Sequence, residues 1–124
     1  MTVERLSLNA FEKIVKGKTR DDTTCVIKFY SVGCPFCEAL KETYEEIADT
    51  FHEVYFFAFN VADHPNLENF FPINGVPSIS VVKSGVFRPQ IVMLGEPKEP
   101  DETTWYHHDE IREFVKRNTE EENK

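Results

Sequence analysis

Apolar residues along this chain form two kinds of pattern, which are stripes at helical spacing and short runs that are apolar throughout. Ser7 is a capping residue for the first stripe, and Gly17 ends it. Lys18 to Asp22 then form a polar link to the next element. The stripes predict three long helices, which cover about 8–16, 34–51 and 107–118.

The apolar runs are rich in β-branched and aromatic residues and are therefore typical of strands. They predict strands at 24–30, 53–61, 78–83 and 86–94, and a further short strand could precede the first helix at 2–6. Ser84-Gly85 marks a hairpin between the last two strands, and a short helix begins at Asp63 and stops at Pro72. Strands that alternate with helices predict a parallel sheet, to which the closing hairpin adds an antiparallel edge.

The bulk properties limit the fold and the function. A chain of 124 residues predicts one domain, 1–124, with its core at about 7–118 and a polar tail at 119–124. The net charge of −8 argues against nucleic acid as a partner, because no basic patch is available to meet phosphates. The N-terminus lacks a signal-like apolar stretch, and the longest apolar run, 54–59, is too short to cross a bilayer. We therefore expect a cytoplasmic protein without membrane contact.

Two cysteines with two residues between them stand where the strand at 24–30 gives way to a helix: Cys34-Pro35-Phe36-Cys37. Thiols at this spacing can close a small disulfide and open it again. The helix dipole and the free N–H groups at a helix start favour a thiolate, and the thiolate is the nucleophile in disulfide exchange. Cys34 lies at the helix end nearer solvent and is the expected attacking thiol. Cys37 lies one turn further in and is the expected resolving thiol.

The third cysteine, Cys25, lies in the interior strand and is interpreted as a small core residue. An odd cysteine count excludes a simple disulfide scaffold. One cysteine pair also cannot complete a four-ligand zinc site, and three of the four histidines, His64, His107 and His108, are far away and lack finger-like spacing. We therefore expect neither a metal nor a bound cofactor.

A second motif, Gly75-Val76-Pro77-Ser78, follows the cysteine pair in the chain. Together with the element order, the two motifs resemble the thioredoxin superfamily. The resemblance implies a three-layer α/β fold with a central mixed sheet of four to five strands flanked by helices. It also implies a cis peptide bond before Pro77, which faces the cysteines, and a backbone edge at Val76 where a substrate strand pairs.

The chain departs from the thioredoxin pattern in three places. Typical thioredoxins have Trp before the first cysteine and Gly-Pro between the two; here Gly33 precedes Cys34, and Pro35-Phe36 resembles glutaredoxins. Lys28 takes the place of a buried carboxylate near Cys37 and is a candidate for tuning the pKa of that thiol. The segment 95–104 resembles an insertion. Trp105, which follows it and is far in sequence from the cysteines, is interpreted as an anchor for the last helix and not as a functional tryptophan.

These features predict a dithiol–disulfide oxidoreductase of monomeric form. Gly33, Pro35, Phe36, Val76 and Pro77 are its predicted substrate-binding residues. Its partners would be disulfide-containing proteins and an electron donor, either a reductase or glutathione.

Two alternatives stay open at this point. One is glutaredoxin-type chemistry with glutathione. The other is a non-catalytic partner-binding module in which the thiols are incidental; a double Cys→Ser variant that keeps its biological function would favour that module.

Overall fold

A computed structural model describes residues 3–69, 71–73, 75–85, 89–97, 100 and 104–119. Five strands and three α-helices make up the fold in the order β1 (Val3–Arg5), α1 (Leu8–Val15), β2 (Thr23–Tyr30), α2 (Pro35–Ala48), β3 (Tyr55–Asn60), β4 (Ser78–Ser84), β5 (Gln90–Met93) and α3 (His108–Thr119). Two 3₁₀ turns lie between β3 and β4, at Val61–Asp63 and Leu67–Asn69. The predicted element order and the optional first strand are confirmed.

The sheet has the strand order β1-β3-β2-β4-β5. β3 pairs in parallel with β1 and with β2, whereas β4 runs antiparallel to both β2 and β5. The central strand, β2, is buried over most of its length because helices cover both faces of the sheet. Phe29 on β2 is the register partner of Ser78 on β4. β4 therefore begins at the sheet edge where β2 ends and where α2 starts.

The two faces of the sheet carry separate cores. One core lies under α2 and α3 and includes Tyr44, Phe56 and Phe114. The other lies under α1 and is mostly aromatic, with Phe11 stacked on Phe59 at a centroid distance of 4.4 Å. Stacked and edge-to-face rings add to the stabilisation from burial alone. The aromatic-rich composition is thus concentrated in layers that hold β2 in place.

Two predicted elements differ from the structure. The predicted short helix from Asp63 is replaced by the two 3₁₀ turns, because Pro65 disfavours a helical conformation at His64, whose backbone is extended between the turns. The predicted last strand starts later, at Gln90; residues 86–88 of that prediction lie outside the described residues. No helix in the described part of the chain is both long and apolar enough to span a bilayer.

Candidate active site

The two cysteines of the motif form a disulfide at the start of α2. Cys34 is the N-cap residue and Pro35 is the first helical residue, where its missing N–H costs no hydrogen bond. The Cα atoms of Cys34 and Cys37 are 5.2 Å apart, within the usual range for a disulfide. The sequence therefore builds a redox pair from one helix turn, with no contribution from a distant element.

The two sulfurs have different surroundings. The backbone N–H of Cys37 donates a hydrogen bond to Sγ of Cys34 at 3.1 Å. Cys34 is half-buried, whereas Cys37 is only 5% exposed. A donor aimed at Sγ of Cys34, at the positive end of the helix dipole, stabilises a thiolate at that sulfur when the disulfide is open. Cys34 thus has both the access and the local electrostatics of a nucleophile.

Gly33 sets the backbone before the cysteines. Its φ is +84°, a conformation that residues with a Cβ rarely adopt. A Cβ placed on Gly33 would have no heavy atom within 4 Å, so backbone conformation rather than space selects glycine here. Val32 just before it is 85% exposed. The side of the disulfide next to Gly33 is therefore open and carries an apolar side chain that sequence reasoning did not single out.

The second motif lies at the same end of the sheet. The Val76–Pro77 peptide bond is cis, in agreement with the expectation from the resemblance. Pro77 is buried and Val76 is half-buried. The hydroxyl of Ser78 donates a hydrogen bond to the carbonyl of Gly75, which closes the loop on itself. The register of β4 on β2 brings this loop next to the strand end that precedes the cysteines.

A pocket of about 260 Å³ lies on the inner side of the disulfide, and we call it the inner pocket. Its wall includes Lys28, Tyr30, Cys37, Lys41 and Glu45. Lys28 is only 5% exposed, and its register partner on β3 is Ala58. Lys28 and Cys37 therefore line the same pocket. The resemblance to thioredoxins implied this proximity, because Lys28 takes the place of a carboxylate that lies near the second cysteine.

The Lys28 ammonium is held by aromatic faces. Its Nζ lies 5.1 Å from the ring centroid of Tyr44 and 5.8 Å from that of Tyr30, distances typical of cation–π contacts. Burial lowers the pKa of Lys28 below the ordinary lysine value, and the negative charge of Glu45 opposes that shift. Within the described residues, no carboxylate lies within ion-pair distance of this Nζ. The two rings and the negative charges of Glu45 and Glu38 favour a charged Lys28 at this position, whereas the positive charge of Lys41 opposes it.

Trp105 packs against the core under α2 and α3, as expected of an anchor for the last helix, but it also lies beside the cysteine motif. The ring centroid of Trp105 lies 5.6 Å from that of Phe36, which stands between the two cysteines in the sequence. Trp105 also lines a groove of about 320 Å³ together with Val76, Pro77 and Glu96. We call this groove, formed by these four residues and Gly95, the Trp105 groove. A contact between such distant parts of the chain gives no local sequence signal, since only the fold of the last loop brings Trp105 to the motif.

Cys25 takes no part in the site. It is fully buried in the core under α1 and is not disulfide-bonded. Burial raises the pKa of its thiol to about 12, so it stays protonated and unreactive near neutral pH. Across the part of the chain that the structure describes, no three His, Cys, Asp or Glu side chains group so as to hold a metal ion.

The sequence and the fold of this chain are similar to those of known thioredoxins. The Thioredoxin family model matches residues 2–105. A thioredoxin of Mycoplasma genitalium is 28% identical over 86 residues, which cover 69% of this chain and 80% of that protein. Chloroplastic thioredoxin z has the same fold, with a TM-score of 0.67, 23% identity and 94% of each chain covered. The J-Trx1 fragment of ERdj5 gives a TM-score of 0.67 at 21% identity, with 94% of this chain and 50% of that chain covered.

A mixed five-stranded sheet between helix layers, with a Cys-x-x-Cys disulfide at a helix start, defines the class of thiol–disulfide oxidoreductases. The chain belongs to the thioredoxin family. Its activity is therefore the reversible exchange of a dithiol for a disulfide.

Proposed function

We propose that this protein reduces disulfides in other proteins, with Cys34 as the attacking thiol and Cys37 as the resolving thiol. The observation that carries the proposal is the contrast between the two sulfurs. Cys34 is half-buried and accepts a hydrogen bond from the Cys37 N–H, whereas Cys37 is buried. An attacking thiol must reach its substrate, and a resolving thiol needs to reach only its partner in the motif.

The reaction has two exchange steps. The Cys34 thiolate attacks one sulfur of the substrate disulfide; a mixed disulfide forms, and the other substrate sulfur leaves as a thiolate. Cys37, after losing its proton, attacks Sγ of Cys34 and displaces the second substrate thiolate. Two electrons thus pass from the Cys34–Cys37 dithiol to the substrate, which takes up two protons and ends as two thiols.

The electron donor in this proposal is a reductase of the thioredoxin type. Membership of the thioredoxin family supports that choice. Glutathione is the second candidate, which the glutaredoxin-like sequence Cys34-Pro35-Phe36-Cys37 favours. The proposal also includes a monomeric protein in the cytoplasm, where a reducing environment keeps such a pair supplied with electrons.

Reduction of insulin tests the activity and the donor together. With dithiothreitol, the protein should speed the precipitation of insulin chains, followed as turbidity, well beyond the rate with dithiothreitol alone. NADPH with a thioredoxin reductase should then replace dithiothreitol, whereas glutathione with glutathione reductase should not. No acceleration over dithiothreitol would contradict the proposed reaction, and regeneration by glutathione alone would favour the second donor.

A further inference from the structure

The Trp105 groove lies beside the cysteine motif, and ring contacts and hydrogen bonds hold the residues of its wall in place. The Trp105 ring contacts that of Phe36 at a centroid distance of 5.6 Å and that of Tyr106 at 6.4 Å. The hydroxyl of Tyr106 donates to the carbonyl oxygen of Gly95 at 3.0 Å and approaches that of Leu94 at 3.3 Å. This contact joins the two ends of the segment between β5 and α3. Trp105 is therefore held in place and not left on a free loop.

The charge in the Trp105 groove is negative. Glu96 is exposed and lines the groove, and in the described part of the chain no cation lies within ion-pair distance of its carboxylate. None of the described lining residues is Lys or Arg. Burial raises the pKa of Tyr106; a hydrogen bond with the Trp105 side chain opposes that rise, and the charges of Glu110 and Glu96 add to it. The whole chain, with a net charge of −8, adds to the same field.

An indole face next to a carboxylate that no described cation pairs with is complementary to one kind of side chain. A guanidinium group stacks on the face of a tryptophan and pairs with a carboxylate through its planar fork. A plain apolar side chain would use only the indole, and an acidic one would meet Glu96 with the same charge. Lysine would gain the charge contact but not the planar stacking.

We propose that the Trp105 groove binds an arginine side chain of the substrate protein, close in sequence to the cysteine that Cys34 attacks. The groove includes Val76 and Pro77, so a substrate segment that pairs with the Val76 edge passes directly beside it. The inference rests on the proposed function, and it adds the substrate class: proteins whose reducible disulfide has an arginine nearby. Trp105 and Glu96 are then specificity residues that act on binding and not on the exchange of sulfurs.

Matched peptide disulfides test this inference. Arg, Leu or Glu is placed in turn at each of the two positions on either side of the cysteine, and kcat/KM is measured with dithiothreitol as reductant. At the best position the Arg peptide should exceed the Leu peptide by about fivefold, as expected for one exposed cation–π contact and one rim ion pair. The difference should lie in KM and should shrink at high salt.

Variants assign the preference to the groove. Glu96→Gln and Trp105→Leu should each reduce the Arg-over-Leu ratio to about twofold or less, because each removes one of the two contacts. Glu46→Gln removes an exposed carboxylate from α2, and Tyr55→Leu removes an exposed ring from β3; both controls should keep the wild-type ratio. Circular dichroism checks that every variant is folded, and Trp105→Phe, which keeps an aromatic face, should retain part of the preference.

Three results would overturn the inference. The first is equal rates of the wild-type protein with the Arg, Leu and Glu peptides at all positions. The second is a preference for Leu, and the third is an Arg preference that survives in both groove variants. Reduction of the Leu and Glu peptides and of insulin by the wild-type protein, measured against dithiothreitol alone, separates this failure from that of the proposed function. Turnover of these substrates without an Arg preference contradicts the groove alone, whereas absence of any turnover contradicts the proposed function and the inference with it.

Discussion

Two pockets near the cysteine motif differ in the sign of their charge and in how far the charged side chain is buried. The inner pocket lies behind Cys37 and contains the buried Lys28 ammonium over two tyrosine rings. The Trp105 groove lies beside Phe36 and Pro77, is open to solvent and carries an exposed carboxylate. A buried charge acts strongly on a neighbouring thiol but cannot reach a substrate. An exposed carboxylate can meet a substrate, but water screens its effect on the sulfurs.

The comparison separates two kinds of control over one reaction. In our proposal, residues around Cys37 set how readily the disulfide is reduced, and residues around the Trp105 groove set which protein is bound. If this division is correct, changes in the inner pocket should alter stability and redox potential but leave the Arg preference untouched. Changes in the groove should do the reverse. The predictions below test the inner side of that division.

The largest effect should come from Tyr44, whose ring lies under Lys28. Tyr44 is fully buried, and its hydroxyl donates to the carbonyl of Phe57 at 2.7 Å and lies 3.2 Å from that of Val26. Tyr44→Phe should lower the free energy of unfolding by about 2 kcal/mol, because a buried acceptor loses its donor. Urea denaturation measures the change, with Tyr55→Phe at an exposed ring as the control. A loss of unfolding free energy no larger than that of the control would mean that the hydroxyl of Tyr44 contributes little to stability.

A smaller effect is expected from Lys28→Met on stability. Burial lowers the pKa of Lys28 in the folded state, so the unfolded chain binds this proton more tightly. The cost of burying the charge is therefore fully present below the folded-state pKa, and it is relieved as pH rises towards the ordinary lysine value of about 10.4. The Met variant should be more stable by about 1 kcal/mol at neutral pH, and this advantage should decline as the pH approaches 10.

Denaturation at several pH values checks this dependence on Lys28. Lys13→Met, which removes an exposed ammonium from α1, provides the control and should show no comparable pH-dependent gain. A Lys28→Met advantage that stays constant from neutral to alkaline pH would contradict a charged Lys28 in the inner pocket.

The sequence predicts most of the site but not the part that Trp105 plays in it, and the reason is physical. Cys34 and Cys37 lie on one helix turn, where local spacing fixes their relation, and the resemblance implied that Lys28 lies near Cys37. Pro77 was found through its motif, which the resemblance placed beside the cysteines. Trp105 reaches Phe36 only through the closure of the last loop by Tyr106. A tertiary contact of that kind has no signature in periodicity, spacing or composition.

The same limit explains the errors in the fold. The long helices and β2 were predicted because each has a continuous apolar pattern that burial then reinforces. The segment between β3 and β4 has apolar residues at near-helical spacing, but His64, which precedes Pro65, is extended, and two 3₁₀ turns form instead of one helix. The spacing of apolar residues indicates which face of a segment is buried. It does not show whether a short, proline-containing segment can form the backbone hydrogen bonds of a full helix.

The smallest expected effect is that of Lys28→Met on the redox potential. A cation in the inner pocket stabilises the thiolate form and so makes the disulfide more oxidising. Its removal should shift the potential in the reducing direction by about 15 mV, given that about 30 mV corresponds to about 1.4 kcal/mol for this couple. Equilibration with glutathione redox buffers measures the shift. An unchanged potential, or a changed Arg preference in the same variant, would break the division between the two pockets.

Trapping of the mixed disulfide tests the central claim, the division of labour between Cys34 and Cys37, most directly. Cys37→Ser and Cys34→Ser are incubated with a disulfide substrate, and intact mass followed by peptide mapping locates the adduct. The account predicts a stable adduct on Cys34 in Cys37→Ser, little adduct in Cys34→Ser, and none on Cys25, which serves as a buried internal control. Equal trapping in both variants, or an adduct found mainly on Cys37, would contradict it.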